Sequence, residues 1–107
     1  MQPSFAFRHL EATDGLKDHT REKLQKLEHY WSKLESLHVI LAVEHHDHKA
    51  EITLVDGGEH FVGHAASADM YTSIDQAVNK LKHQLQRRKD QQDHNKKGRP
   101  STSSLVS

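Results

Sequence analysis

Residues 49–66, KAEITLVDGGEHFVGHAA, carry two runs of alternating apolar residues on either side of Asp56-Gly57-Gly58-Glu59. Two glycines between such runs make a two-residue hairpin loop, because the tight turn needs positive φ at both central positions. With Gly57-Gly58 as the loop, Leu54 lies opposite Phe61, Ile52 opposite Gly63 and Ala50 opposite Ala65. A slip of one residue would turn this whole set to the other side of the sheet, so the pattern fixes the register. Thr53 with Val62 and Glu51 with His64 then occupy the second, more polar face. One face therefore needs a cover, and the rest of the chain must supply it.

Two helical patterns are available as that cover. In Asp69–Lys89, DMYTSIDQAVNKLKHQLQRRK, Asp69 is a good N-cap, and Met70, Ile74, Ala77, Val78, Leu81 and Leu85 recur at helical spacing. Earlier, Thr13 or Asp14 can cap DGLKDHTREKLQKLEHYWSKL, residues 14–34, with Leu16, Thr20, Leu24, Leu27, Trp31 and Leu34 on one side. Gly15 costs little in the first turn of that helix. A first strand is expected in SFAFRHL, where Phe5 and Phe7 alternate with smaller or polar residues and Pro3 confines it to a sheet edge or a strand start. LHVILAVEH is a second strand, with Leu37, Val39, Leu41 and Val43 on one side. The resulting class is α+β: a two-layer β-α-β-β-β-α sandwich, with two helices packed on one face of a four-stranded, mostly antiparallel sheet. The domain is expected over residues 1–90, followed by a disordered polar tail over 91–107, within the polar stretch DQQDHNKKGRPSTSSLVS that follows Lys89.

At 107 residues the chain suits one compact core rather than two modules. No apolar run approaches the roughly 20 residues that cross a bilayer, and the start MQPSFAFRHL lacks the pattern of a signal peptide. With no cysteine, disulfides and thiolate ligands are excluded, which fits a soluble cytoplasmic protein with no membrane partner.

Formal charge sums to zero but is unevenly placed. Residues 1–78 hold seven Lys or Arg against thirteen Asp or Glu, and residues 79–107 hold eight against two, so the halves stand at minus six and plus six. Within the second helix Lys80, His83 and Arg87 fall at i, i+3 and i+7, and Lys82 and Lys89 lie seven apart, so cations line up in rows outside the apolar stripe. Rows of that kind suit a phosphate backbone. A solvated, lysine-rich helix is the plainer reading of the same residues.

The residues RHLEATDGLKDHTREKLQKLEHYW, LHVILAVE with the Gly57-Gly58 turn, and DMYTSIDQAVNKLKHQL resemble the short ribosome hibernation-promoting factors and the related ribosome-associated inhibitor, the sigma-54 modulation protein family. Asp69-Met70-Tyr71 followed by Ile74-Asp75 and Lys80-Leu81 is the most specific part. The resemblance covers residues 1–90 and implies a protein, monomeric when free, that binds the small ribosomal subunit and the 70S ribosome through 16S rRNA. It implies binding in the channel used by tRNA and mRNA, silencing idle ribosomes in stress or stationary phase. The family's basic positions fall on Lys23, Lys26, Lys80, Arg87 and Lys89, and His83 stands where relatives often carry arginine. Joined with the rows read from the helices, the expected rRNA-binding set is Lys23, Lys26, Lys33, Lys80, Lys82, His83, Arg87, Arg88 and Lys89. Folded rRNA is read mainly by shape, phosphate and 2′-hydroxyl contacts, for which flexible cations on a rigid helix suffice. Tyr71 could stack on a base, although packing against the sheet edge is the commoner fate of such a residue. Nothing after Lys89 resembles the second domain of the long members, and the tail sides with neither the dimer-promoting nor the dimer-blocking short forms.

Eleven histidines raise a metal hypothesis, above all His45, His46 and His48 in a turn with His60 and His64 on a strand. His60 and His64 lie four positions apart on a strand, roughly 13 Å, too far to share an ion, and His48 should face about Ser67. No four-ligand set assembles, so no metal or cofactor is expected, though acidification would add positive charge to these side chains. An enzyme is not expected either: Gly57-Gly58 is a hairpin turn rather than a phosphate loop, and the serines crowd into the tail. A non-enzymatic protein-interaction module or a His-rich metal-binding protein stays open as the alternative function.

Overall fold

A computed structural model describes residues 2–96, with side chains described through Gln91. The elements are β1 (Ser4–Arg8), α1 (Asp14–Gln25), a 3₁₀ turn (Glu28–Tyr30), β2 (Leu34–Glu44), β3 (Asp47–Asp56), β4 (Glu59–Ser67) and α2 (Met70–Lys96). The sheet order is β1-β2-β3-β4, with β1 parallel to β2 and the other neighbours antiparallel. This is the expected α+β sandwich. Pro3 precedes β1 at the sheet edge, where its missing N–H costs no ladder bond.

The hairpin adopts the register its residues dictate: Leu54 opposite Phe61, Ile52 opposite Gly63, Ala50 opposite Ala65 and His48 opposite Ser67. Gly57 and Gly58 have φ of +61° and +83°, the pair of positive values a two-residue turn demands. Val39, Leu41, Ile52, Leu54, Phe61 and Ala65 point to the helices and are buried with Leu16, Leu24, Ile74, Leu81 and Leu85. Burying the Val, Leu, Ile and Phe side chains among these stabilises the fold by about 1.5–3 kcal/mol each. At Gly63 the backbone of α2 comes so close that an added Cβ would stand 2.2 Å from the Ala77 carbonyl oxygen. Glycine here is a packing requirement that seats α2 on β4.

α1 covers the β1 side. Lys17 and Arg21 reach over Phe7 and Phe5, at 6.0 Å and 5.4 Å from the ring centroids. Thr13 caps the helix, its Oγ1 accepting the Leu16 N–H at 3.2 Å.

The first helix is shorter than its apolar spacing predicts. It ends at Gln25 instead of reaching residue 34, and Trp31 and Leu34 leave the helical stripe. Tertiary bonds explain the stop: Arg88 donates to the Tyr30 carbonyl at 2.9 Å, and Asp56 accepts the N–H groups of Ser32 and Lys33. Those bonds fix the chain as it leaves the 3₁₀ turn at Tyr30 and becomes extended at Trp31, and they free Leu34 to begin β2. Lys33, expected on the first helix, lies exposed just before β2. Similarly His48 is on β3 rather than in the preceding turn, and α2 continues past Lys89 to Lys96. The rest of the expected tail, residues 97–107, lies outside the described residues. Among the described residues no helix is long and apolar enough to cross a membrane.

Candidate nucleic-acid interface

α2 starts where its sequence says it should. The Asp69 carboxylate accepts from the Thr72 N–H at 3.0 Å and the Thr72 hydroxyl at 2.9 Å, and these two donors hold its pKa below the usual aspartate value. From that start, a turn of about 100° per residue assigns each cation a direction relative to the buried stripe of Ile74, Ala77, Leu81 and Leu85.

Lys82 and Lys89 fall on the flank that faces α1, in one row with Tyr71 and Asp75. Two contacts anchor that assignment: Asp75 meets His19 of α1 at 2.7 Å and Lys23 at 3.9 Å, and the Lys89 ammonium lies 5.9 Å from the Tyr30 ring centroid. Lys23 stands on the flank of α1 turned toward α2, and Lys26, three residues on at the C-cap, falls on the same flank by helical phase. Lys23, Lys26, Lys82 and Lys89 therefore line a trough between the helices. Lys80 and Arg87 fall on the opposite flank, above the free edge of β4. Lys80 Nζ donates to the His64 carbonyl at 2.7 Å and Gln84 Nε2 to the Val62 carbonyl at 2.7 Å. Two of the three Lys80 donors remain for another acceptor. His83 stands on the crest between the flanks. Lys26, Lys80, Lys82, Arg87 and Lys89 are exposed and have no carboxylate within ion-pair distance among the described residues.

Arg88 is a correction to the expected set. The residue is 8 % exposed, and Nη2 bonds Asp56 Oδ2 at 2.8 Å while Nη1 bonds Glu59 Oε1 at 3.3 Å. The guanidinium also lies over the Phe61 ring, 5.0 Å from its centroid. Burial alone would lower its pKa, but the bonds to Asp56 and Glu59 more than offset that and raise it. For Asp56, burial pushes upward, and Arg88 with the Ser32 and Lys33 N–H groups pulls the carboxyl below its ordinary value. The Arg88 guanidinium is thus committed inside the fold, and RNA would have to break its bonds to Asp56 and to the Tyr30 carbonyl to draw it out. The sequence held the signal: Arg88 is seven residues after Leu81 and three after Leu85, in phase with the buried stripe. Lys33 is likewise away from both helical flanks, at the Asp56 end of the molecule.

The face of the sheet turned away from the helices is different in kind. Arg8, Glu44, Lys49, Glu51 and His64 border a shallow depression of about 590 Å³ floored by Ile40, Ala42 and Ala66. Lys49 there is paired with Glu44. Among the described residues, no group of three His, Cys, Asp or Glu is placed to hold a metal ion.

The sequence pattern of the family described as Sigma 54 modulation protein / S30EA ribosomal protein matches residues 4–93. The chain belongs to this family. It is 36 % identical over 104 residues to the Ribosome hibernation promoting factor of Azotobacter vinelandii, covering 96 % of this chain and 97 % of the relative. It is 37 % identical over 92 residues to the protein of that name in Pseudomonas putida, covering 86 % and 90 %. The crystal structure of the Thermus thermophilus Protein Y N-terminal domain superposes with a TM-score of 0.73 at 30 % identity, covering 81 % of this chain and 98 % of that one. The family's fold and the cation-bearing helical layer thus occur together in this molecule.

Proposed function

We propose that the chain is a ribosome hibernation factor of the cytoplasm that lays its helical layer on the rRNA of the small subunit. There it would occupy the channel used by tRNA and mRNA and stop translation in stress or stationary phase, as a monomer and with no bond made or broken. The observation that carries this reading is the grouping of Lys26, Lys80, Lys82, Arg87 and Lys89 on the solvent side of the two helices, unpaired among the described residues, in a chain of this family. Each phosphate they neutralise would release condensed counterions, so binding should weaken steeply with salt, by a log–log slope of about 0.7–0.9 per contact. Lys23 contributes less, because Asp75 already offsets part of its charge.

The test is co-sedimentation with purified small subunits over a salt series, for the wild type and for the Lys82→Glu, Arg87→Glu, Lys89→Glu variant. This triple variant leaves the Lys80 bond to β4 in place, so far-UV circular dichroism should match the wild type. Loss of co-sedimentation is expected. Retained binding with an unchanged slope overturns the assignment, and salt-insensitive wild-type binding would make the helical layer a protein-docking surface instead.

A further inference from the structure

Tyr71 is one of two large apolar side chains left exposed among the described residues, at 43 %, and it does not pack on the sheet edge as expected. It packs on α1. Its ring meets the His19 imidazole edge-on, with centroids 4.9 Å apart and planes at 76°. Its hydroxyl lies over Gly15, where an added Cβ would come within 2.9 Å of Oη. Gly15 is therefore more than a tolerated residue in a terminal turn: it makes room for the tyrosine. His19 is itself held by Asp75 at 2.7 Å, so the ring rests on a partner that cannot swing away without breaking that bond.

An aromatic ring fixed on a helix, partly open to solvent and placed at the head of a cationic trough, has the makings of a stacking platform. Tyr71 heads the row that continues through Asp75 to Lys82, about 16 Å further along the helix axis. Lys23 stands beside it through Asp75. A nucleic-acid strand following the trough would have its phosphates on the lysines and a base within reach of the ring. We infer that Tyr71, braced by His19 and Gly15, receives an unpaired nucleobase of the bound RNA by stacking. This rests on the rRNA-binding reading above and adds to it a contact that is blind to phosphate.

That difference makes it testable. Stacking releases no counterions, so Tyr71→Ala should weaken binding to purified small subunits roughly 5- to 150-fold at every salt concentration while the slope stays that of the wild type. Tyr71→Phe keeps the ring and should bind within about twofold of the wild type. A second measurement compares a short oligouridylate with an abasic strand of the same length and charge. The wild type and Tyr71→Phe should prefer the strand with bases, and Tyr71→Ala should lose that preference. Equal subunit affinity of Tyr71→Ala and the wild type, or no preference between the two strands by the wild type, overturns the inference. If the wild type ignores small subunits altogether, the hibernation reading fails, and the oligonucleotide comparison still decides the role of the ring. Matching circular dichroism spectra show that the variants are folded.

Discussion

Arg87 and Arg88 are neighbours in the chain and belong to two regions with opposite chemistry. Arg88 forms a buried ion pair with Asp56 and a second, solvent-facing one with Glu59, which ties α2 to the β3–β4 turn and to residues 30–33. Arg87, one residue earlier, stands in water near His60, Phe61 and Gln84 with no carboxylate partner among the described residues. A rotation of about 100° separates a structural cation from one free to meet a ligand. The lesson is that charge counting overstates an interface unless each cation is first given its phase against the apolar stripe. Charge inside the cluster should be indifferent to salt, and charge on the flanks should not.

The comparison breaks most visibly at Arg88. Arg88→Ala leaves Asp56 buried without its counter-ion and should cost about 3–5 kcal/mol, read as a lower urea midpoint. Arg88→Met removes the charge but refills the space, yet the Asp56 carboxylate still lacks its partner, so it should recover only part of the loss; Arg88→Met paired with Asp56→Leu should recover more. Wild-type stability from Arg88→Ala would mean that the cluster does not hold the end of α2. Acid offers a second approach to the same region. The Asp56 pKa is depressed in the folded chain, so its contribution is fully present above the ordinary aspartate value of 3.8 and is lost as pH falls through the lower folded value. Asp69 acts in the same sense at the start of α2. The midpoint measured against pH should therefore decline below about pH 4, and Arg88→Ala should flatten the part due to Asp56.

A smaller loss is expected from Gly63→Ala. Its Cβ would face the Ala77 carbonyl oxygen at 2.2 Å and the Leu81 Cγ at 3.0 Å, and backbone cannot rotate aside as a side chain can. α2 must lift from β4, at about 1–3 kcal/mol. The lift would also strain the Lys80 and Gln84 bonds to the β4 edge. Those bonds occupy carbonyls that an edge strand would otherwise offer to another chain. Gly63→Ala should therefore also increase association at high protein concentration, seen by light scattering, and an unchanged midpoint would sink the packing argument.

What could be read in advance was local. The hairpin register followed from the alternation about Gly57-Gly58, and both helix starts followed from the capping chemistry of Thr13 and Asp69, because neighbouring residues alone decide such features. The end of α1 was not legible, since Trp31 and Leu34 continue the helical spacing while Asp56 and Arg88, 23 to 58 residues away, claim the backbone of residues 30–33. The trough was half legible: the rows of cations were visible, but the pairing of His19 with Asp75, and the seat that Gly15 makes for Tyr71, arise only when α1 and α2 pack together. Arg88 was legible in principle from its phase, and counting it as a surface cation ignored that phase.

The smallest expected effect is the sharpest probe of the contrast. Arg87→Ala removes an exposed, unpaired side chain, so the urea midpoint should move by no more than the equivalent of about 0.5 kcal/mol. Binding to small subunits should nonetheless weaken, and the log–log salt slope should fall by about 0.7–0.9, the share of one phosphate contact. Arg88→Ala, compared below its unfolding midpoint, should instead keep the wild-type slope for whatever fraction remains folded. Two adjacent arginines would then be sorted by two measurements, stability and salt slope, each of which responds to one and passes over the other. If Arg87→Ala left the slope untouched, the β4-edge flank would fall out of the interface, and the trough with Lys26, Lys82 and Lys89 would carry the RNA alone.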